Sequence, residues 1–136
     1  MITELFIKQC KQAEEIQEGW KPEEYDIFTY DGTSLFRYPL VKRTKEWMAK
    51  HAPIWLPTQE QLQEMLKYYY HYATPYQVKD LGWGDSINEY MLKKLMKFEK
   101  NNREIVYDLN SLWLAFVMHE LYNKIWTGEK WEEIIC

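Results

Sequence analysis

The feature that most constrains the fold is an unbroken apolar run late in the chain, residues 112–118 (LWLAFVM). The run is far shorter than the roughly 20 residues that a membrane-spanning helix requires. Asn110 or Ser111 is a suitable N-cap in front of it, and Gly128 is a suitable helix terminator. Because a helix that is apolar on every face must be buried, the sequence predicts a central C-terminal helix over residues 112–126, followed by a short tail.

Further helices are predicted by apolar periodicity and by start signals. Apolar side chains at three- and four-residue steps predict a helix over residues 3–17. Residues 58–61 (TQEQ) and 86–89 (SINE) are capping boxes, in which the first and last side chains satisfy each other's backbone N–H groups. Each capping box predicts the start of an amphipathic helix. A shorter helix is predicted over residues 74–82, between a Thr-Pro start and a glycine.

Strand signals are fewer and shorter. Residues 24–38 contain two runs of strand-forming residues on either side of Asp31-Gly32, which is a tight-turn signal, so they predict a β-hairpin. Residues 52–57 predict an extended segment that buries Trp55, and residues 104–107 predict a further strand.

Length and composition indicate a globular protein. The chain has 136 residues, of which 46% are hydrophobic and 28% charged, and this balance is not that of a disordered chain. The length suits one domain. The predicted fold class is therefore α+β: a helix-dominated single domain over residues 1–136, with a small antiparallel β-hairpin sheet and a central C-terminal helix.

Charge and cysteine content narrow the functional classes. The chain has 17 Lys and Arg against 21 Asp and Glu, a net charge of −4, which disfavours binding that depends mainly on phosphate contacts. Cys10 is predicted to be a small buried residue and Cys136 a free terminal thiol, and the two form no zinc motif. A disulfide between them is the alternative, which sequence spacing does not decide. The first residues show no export signal, so we expect a cytoplasmic protein that does not enter a membrane.

No catalytic motif is complete. His119-Glu120 resembles the start of a zincin helix, but the second histidine that the motif needs at position 123 is an asparagine. There is no nucleophile elbow, and the glycines at 82 and 84 do not form a phosphate-binding loop. We therefore expect no metal, no cofactor and a non-enzymatic function, with an enzyme that uses pocket carboxylates as a distant alternative.

Aromatic residues are unusually frequent, with 7 Trp, 11 Tyr and 5 Phe. Tyr69 shares one face of its predicted helix with Leu62, Met65 and Leu66. Tyr68, Tyr70 and Tyr72 surround that helix and cannot all share this face, because neighbouring residues point about 100° apart. Since tyrosine and tryptophan are enriched at protein interfaces, these four tyrosines and Trp83 are predicted to contact a protein partner or a second copy of the chain.

Two basic clusters support an alternative function. They lie at residues 37–50 and 93–103, and their candidate contact residues are Arg37, Lys42, Arg43, Lys45, Trp47, Lys93, Lys97 and Lys100. Lysines at helical steps, together with a nearby aromatic ring, are typical of a surface that contacts phosphates and stacks bases. The alternative interpretation is therefore a nucleic-acid-binding accessory protein.

Two stretches carry a resemblance to a known group of proteins. They are residues 55–66 (WLPTQEQLQEML) and residues 115–126 (AFVMHELYNKIW) with 128–131 (GEKW). Together they resemble small uncharacterised proteins encoded in phage and prophage regions of Gram-positive bacteria. The resemblance implies a phage-type accessory context and carries no known activity, so it assigns no role to any residue. The leading hypothesis is a non-enzymatic, phage-type accessory protein that acts by protein–protein contact.

Overall fold

The computed structural model describes residues 2–38, 50, 52–72, 85–103 and 107–134. The chain divides into two compact units, Met1–Thr58 and Gln59–Cys136, called here the N-terminal and the C-terminal unit. The described residues form five helices and five short strands in two small antiparallel sheets. The predicted helix-dominated α+β class is therefore confirmed, whereas a single domain over the whole chain stays a prediction.

The first predicted helix is interrupted. The N-terminal unit begins with α1 (Glu4–Gln12) and α2 (Glu14–Glu18). Ala13 between them leaves the helical region, with φ −83° and ψ 76°. The Cys10 carbonyl is then satisfied by the Ala13 N–H at 3.2 Å and by the side-chain amide of Gln17 at 3.0 Å. Cys10 is fully buried, as predicted.

A three-stranded sheet completes the N-terminal unit. Its strands are β1 (Ile27–Thr29), β2 (Phe36–Arg37) and β3 (Ile54–Trp55), in the order β2-β1-β3, with both pairings antiparallel. The predicted hairpin is the β1–β2 pair, and the predicted extended segment supplies the edge strand β3. Trp55 is buried at 6% exposure, as predicted, and its ring stacks on Trp20 with centroids 6.0 Å apart.

The hairpin loop is wider than a two-residue turn. The loop spans residues 30–35. Within it, the Asp31 carboxylate accepts hydrogen bonds from the backbone N–H groups of Ser34 at 2.7 Å and Thr33 at 2.8 Å. Gly32 has φ +82°, a left-handed conformation that glycine adopts without strain. The two backbone donors, that of Ser34 first, hold the pKa of the Asp31 carboxyl well below its usual range.

Three helices form the C-terminal unit: α3 (Gln59–Tyr72), α4 (Asp85–Asn101) and α5 (Leu109–Tyr122). Residues 113–118 of α5 are all buried, and α5 contacts both α3 and α4. The predicted central helix is therefore confirmed. None of the helices in the described ranges is long and apolar enough to cross a membrane.

Both ends of α5 differ from the prediction. The N-cap is Asp108, not Asn110 or Ser111, because the Asp108 carboxylate accepts the Ser111 N–H at 3.0 Å and the Ser111 hydroxyl at 2.8 Å. The helix ends at Tyr122 and does not continue to residue 126, because Asn123 takes a left-handed conformation with φ 54° and ψ 44°.

The residues after α5 form a second hairpin. Its strands are β4 (Lys124–Trp126) and β5 (Trp131–Glu133), which pair antiparallel. The Asn123 side chain donates to the Ile134 carbonyl at 3.1 Å, so it also holds the far end of this hairpin. The predicted tail after Gly128 is thus mainly a strand.

Several sequence-based predictions lie outside the described residues. They are the short helix over residues 74–82, Trp83, most of the strand over 104–107, Cys136, and four residues of the first basic cluster: Lys42, Arg43, Lys45 and Trp47.

Candidate functional site

The four candidate tyrosines of α3 separate into exposed and buried residues. Tyr68 and Tyr72 are 63% and 55% exposed, and their ring centroids lie 4.7 Å apart. Tyr69 is half-buried, whereas Tyr70 is only 1% exposed. The fully buried tyrosine of this helix is therefore Tyr70 and not Tyr69, and the accessible aromatic surface consists of Tyr68 and Tyr72.

The basic candidates belong to different units. Lys93, Lys97 and Lys100 are exposed on α4, and they form no ion pair within the described ranges. Arg37 is exposed in the N-terminal unit, where its guanidinium donates to the Tyr25 carbonyl at 3.3 Å. Among the described candidates of the two clusters, only the α4 lysines lie together on one element.

Two large apolar side chains share the outer face of α4 with these lysines. Leu92 is 47% exposed and Met96 is 70% exposed, and one helical turn separates them. The sequence places five residues on the core side of this helix: Ile87, Met91, Leu95 and Phe98 are buried, and Tyr90 is half-buried. Sequence reasoning did not note the exposed pair, although the pair's one-turn spacing away from that core side was a readable signal.

The three helices of the C-terminal unit meet at Glu120. The Tyr70 hydroxyl of α3 donates to the Glu120 carboxylate at 3.0 Å, and the Lys94 ammonium of α4 lies 3.0 Å from the same oxygen. The Glu120 side chain is only 11% exposed. Lys94 also lies 5.8 Å from the Tyr70 ring centroid and 5.5 Å from that of Tyr90. We call Tyr70, Lys94 and Glu120 the Glu120 cluster.

Electrostatics keep the two donors of the Glu120 cluster in their usual protonation states. Burial, followed by the negative charge and hydrogen bond of Glu120, raises the pKa of Tyr70 far above its ordinary value. Burial opposes the charged form of Lys94, but the hydrogen bond and charge of Glu120 outweigh it and raise the pKa of Lys94. Both groups therefore keep their protons near neutral pH, and the cluster links the three helices through one hydrogen bond and one ion pair.

A cavity of about 320 Å³ opens beside the Glu120 cluster, between α4 and α5. Its lining residues are Lys94, Lys97, Phe98, Asn101, Asn102, Phe116, His119 and Glu120. The half-buried His119 packs its ring against Phe98, with centroids 5.1 Å apart, and its Nδ1 lies 3.9 Å from a Glu120 oxygen. The cavity therefore combines an aromatic wall with several polar and charged groups.

Sequence reasoning missed the role of Glu120. It treated His119-Glu120 as an incomplete zincin motif, and no group of His, Cys, Asp and Glu within the described ranges is suited to hold a metal. Asn123 replaces the required histidine and ends the helix in a left-handed conformation. The available signal was a carboxylate two residues after a long apolar run, since a charge at such a position needs a partner.

Comparison with known proteins finds no matching family model, no matching curated protein and no matching solved structure. The functional interpretation therefore depends on the residues and geometry of this chain.

Proposed function

We propose that this protein is a non-enzymatic accessory protein that acts by protein–protein contact through its C-terminal unit. The observation that carries the proposal is a pair of large exposed side chains, one turn apart, on each of two helices: Tyr68 with Tyr72 on α3, and Leu92 with Met96 on α4. Single exposed apolar residues are ordinary on protein surfaces. Adjacent exposed pairs containing tyrosine and methionine are more typical of interface residues. The phage-type context is proposed from the sequence resemblance alone.

Charge indicates what kind of protein surface α4 would bind. Leu92 and Met96 are flanked on the same helix by the exposed Lys93 and Lys100. An apolar surface bordered by acidic side chains complements this arrangement, because charge complementarity at the rim favours the correct partner and speeds association. A second copy of this chain is one candidate partner, since its net charge is −4.

Nucleic acid fits the described part of α4 less well. Non-specific binding of single strands combines lysines with aromatic rings on which the bases stack. The side chains beside Lys93 and Lys100 are the aliphatic Leu92 and Met96, which offer no stacking surface. A protein partner uses both the lysines and the aliphatic groups, whereas a phosphate backbone uses only the lysines.

The experiment is a pull-down in which the purified chain is the bait and a lysate of the source organism is the sample. The lysate is used with and without nuclease treatment, and retained proteins are identified by mass spectrometry. We expect a partner that the wild-type chain retains and that the Leu92→Ser/Met96→Ser variant loses. The matched control is Glu60→Ser/Glu64→Ser, which replaces two exposed residues on α3. Sedimentation equilibrium of the purified wild type tests whether the partner is a second copy.

The result that would contradict the proposal is equal retention of every partner by the wild type and by Leu92→Ser/Met96→Ser. Loss of all partners upon nuclease treatment would also contradict it. If in addition Lys93→Glu/Lys100→Glu abolished binding of single-stranded nucleic acid, the nucleic-acid alternative would replace the protein-contact function.

A further inference from the structure

We propose that the cavity between α4 and α5 binds a small aromatic carboxylate, with the ring of the ligand against the aromatic wall and its carboxylate toward Lys97. This site is separate from the protein-contact surface, and it does not depend on the function proposed above. Its volume of about 320 Å³ is sufficient for one small organic molecule.

The deep wall of the cavity is aromatic. Phe98 and Phe116 are 5% and 1% exposed, and their ring centroids lie 5.6 Å apart. The His119 ring packs against Phe98 and extends this wall. Flat apolar groups gain both buried area and ring–ring contacts on such a surface, so the wall favours a planar aromatic ligand over a compact ion.

The charges around the cavity favour an anion. The positive charge of Lys94 is already compensated, because its ammonium lies 3.0 Å from the Glu120 carboxylate. Glu120 in turn accepts a hydrogen bond from the Tyr70 hydroxyl at 3.0 Å, so its negative charge is shared between two donors. Lys97 also lines the cavity and makes no ion pair within the described part of the chain. The two lysines and Glu120 that line the cavity therefore leave one positive charge in excess, which matches a monoanion.

Polar groups near Lys97 can complete the recognition of a carboxylate. Asn101 and Asn102 line the same cavity. The Asn102 amide already donates to the Phe98 carbonyl at 2.8 Å, which fixes its orientation. Asn101 is exposed and makes no hydrogen bond with its side chain among the described residues, so its amide N–H is available to a ligand. A charged donor and a neutral donor one turn apart suit the two oxygens of a carboxylate.

The experiment is an NMR titration of the isotope-labelled full chain with three probes of nearly equal size: benzoate, benzyl alcohol and benzylammonium. We expect benzoate to shift the resonances of the cavity residues in a saturable manner and to bind more tightly than the other two probes. Lys97→Met should weaken benzoate binding by about five-fold, which corresponds to the upper range for an exposed ion pair. Lys97→Glu should reverse the preference, so that benzylammonium binds better than benzoate.

Lys100→Met is the matched control, because Lys100 is exposed on the same helix but does not line the cavity. It should leave the affinity for benzoate unchanged. The comparison of probes on the wild-type chain requires no variant, so it remains decisive even if a substitution impairs folding. The inference would be overturned if the cavity resonances did not respond to benzoate, if benzylammonium bound as tightly as benzoate, or if the Lys97 and Lys100 variants behaved alike.

Discussion

At the scale of single residues, the Glu120 cluster shows how a charge is accommodated at the end of an apolar helix. Glu120 follows directly after the fully buried Val117-Met118 and the half-buried His119. Removing an unpaired carboxylate from water is costly. The hydroxyl of Tyr70 and the ammonium of Lys94 satisfy Glu120, and each comes from a different helix. The cluster therefore couples the packing of all three helices.

The hydroxyl of Tyr70 should contribute measurably to the stability of the C-terminal unit. Tyr70→Phe keeps the buried ring and removes only the donor to Glu120. Because hydrogen bonds to charged groups are the stronger ones, we expect the free energy of unfolding to fall by about 1.5–3 kcal/mol. Urea denaturation measures this change. Tyr68→Phe is the control, since the ring of Tyr68 is exposed, and it should leave the stability unchanged; an equal loss in both variants would contradict the role assigned to Tyr70.

The free energy of unfolding should fall at alkaline pH, because the pKa of Tyr70 is raised in the folded chain. Above the ordinary tyrosine pKa of 10.0, the unfolded chain releases this proton while the folded chain retains it, because the pKa of Tyr70 is raised on folding. The unfolded state then binds fewer protons, so the free energy of unfolding decreases with rising pH, by up to about 1.4 kcal/mol per pH unit for one group.

The raised pKa of Lys94 acts in the same direction, because its contribution is also lost as the pH rises. We expect urea denaturation curves to be insensitive to this effect below pH 10 and to show a steep loss above it. In Tyr70→Phe the alkaline loss should be shallower but not absent, since burial also raises the pKa of Tyr107. A wild-type stability that stayed constant above pH 10 would contradict this explanation.

Some residue-scale features were predictable and others were not. The burial of Cys10 and Trp55 was correctly predicted, because it follows from hydrophobicity and local periodicity. The pairing of Tyr70 with Glu120 was not predicted, because 50 residues separate the partners and no local pattern links them. Helical spacing places Tyr69 on one face with Leu62 and Leu66, but the buried tyrosine is Tyr70, whose hydroxyl has the partly buried acceptor Glu120.

At the scale of elements, a side chain covers the edge of the three-stranded sheet. β3 is an edge strand, and its outer backbone groups need partners. The Gln17 amide donates to the Trp55 carbonyl at 2.9 Å and accepts the Trp55 N–H at 2.7 Å. Gln17 thus makes the two hydrogen bonds that another strand would make. The same amide also satisfies the Cys10 carbonyl at the break between α1 and α2.

Removal of the Gln17 amide should destabilise the N-terminal unit. Gln17→Leu keeps the size of the side chain but leaves the Trp55 N–H and carbonyl without this partner. We expect a loss of about 2–4 kcal/mol, because each buried backbone group left unsatisfied is costly. Glu18→Leu places the same side chain at the exposed neighbouring position and should change stability by less than about 0.5 kcal/mol. Thermal denaturation followed by circular dichroism compares the two variants, and similar midpoints would contradict the role of Gln17.

Asn123 ends the central helix and connects it to the second hairpin. Its left-handed backbone ends α5, its N–H donates to the His119 carbonyl at 3.2 Å, and its side chain reaches the Ile134 carbonyl. Asn123→Ala should cost about 1–2 kcal/mol, because alanine is strained in this conformation and lacks the amide. Asn123→Gly should cost less, since glycine adopts the conformation freely. Chemical denaturation of both variants tests this order, and an equal loss would show that the backbone conformation is not the cause.

Elements with strong periodicity were predicted more accurately than their boundaries. The apolar run of α5 predicted a buried helix, whatever the exact positions of its two ends. Its true cap, Asp108, and its true end, Asn123, depend on backbone conformations that several sequences can adopt. The break at Ala13 was not predictable either. The Cys10 carbonyl at this break accepts a hydrogen bond from Gln17, a side chain that also binds the distant β3.

At the scale of the whole molecule, the two compact units have different characters. The described surface features on which both proposals depend all lie in the C-terminal unit: the exposed tyrosines of α3, the outer face of α4, and the cavity between α4 and α5. Within the Glu120 cluster, the charges of Lys94 and Glu120 compensate each other. Lys93 and Lys100, which flank Leu92 and Met96, are exposed positive groups on a chain whose net charge is −4. This local reversal of charge is the basis for expecting an acidic partner surface.

The candidate site was predicted only in part. Surplus aromatic residues correctly indicated that some tyrosines would be exposed, and Tyr68 and Tyr72 are. The cavity was not predicted, because it requires the relative placement of two helices separated by residues 102–108. The exposed pair on α4 was readable from its one-turn spacing but was not noted. Sequence periodicity reports which face of a helix is buried, but not which neighbouring side chains complete a site.

The most direct test of the protein-contact function is site-specific photocrosslinking from the outer face of α4. A photoreactive amino acid replaces Met96 in the full chain, and a second variant carries it in place of Lys130, an exposed position in the turn between β4 and β5. The proposed function predicts a nuclease-resistant adduct to a defined protein from position 96, its loss when Leu92 is changed to Ser, and no such adduct from position 130. Identical adducts from both positions, or adducts to nucleic acid alone, would contradict it.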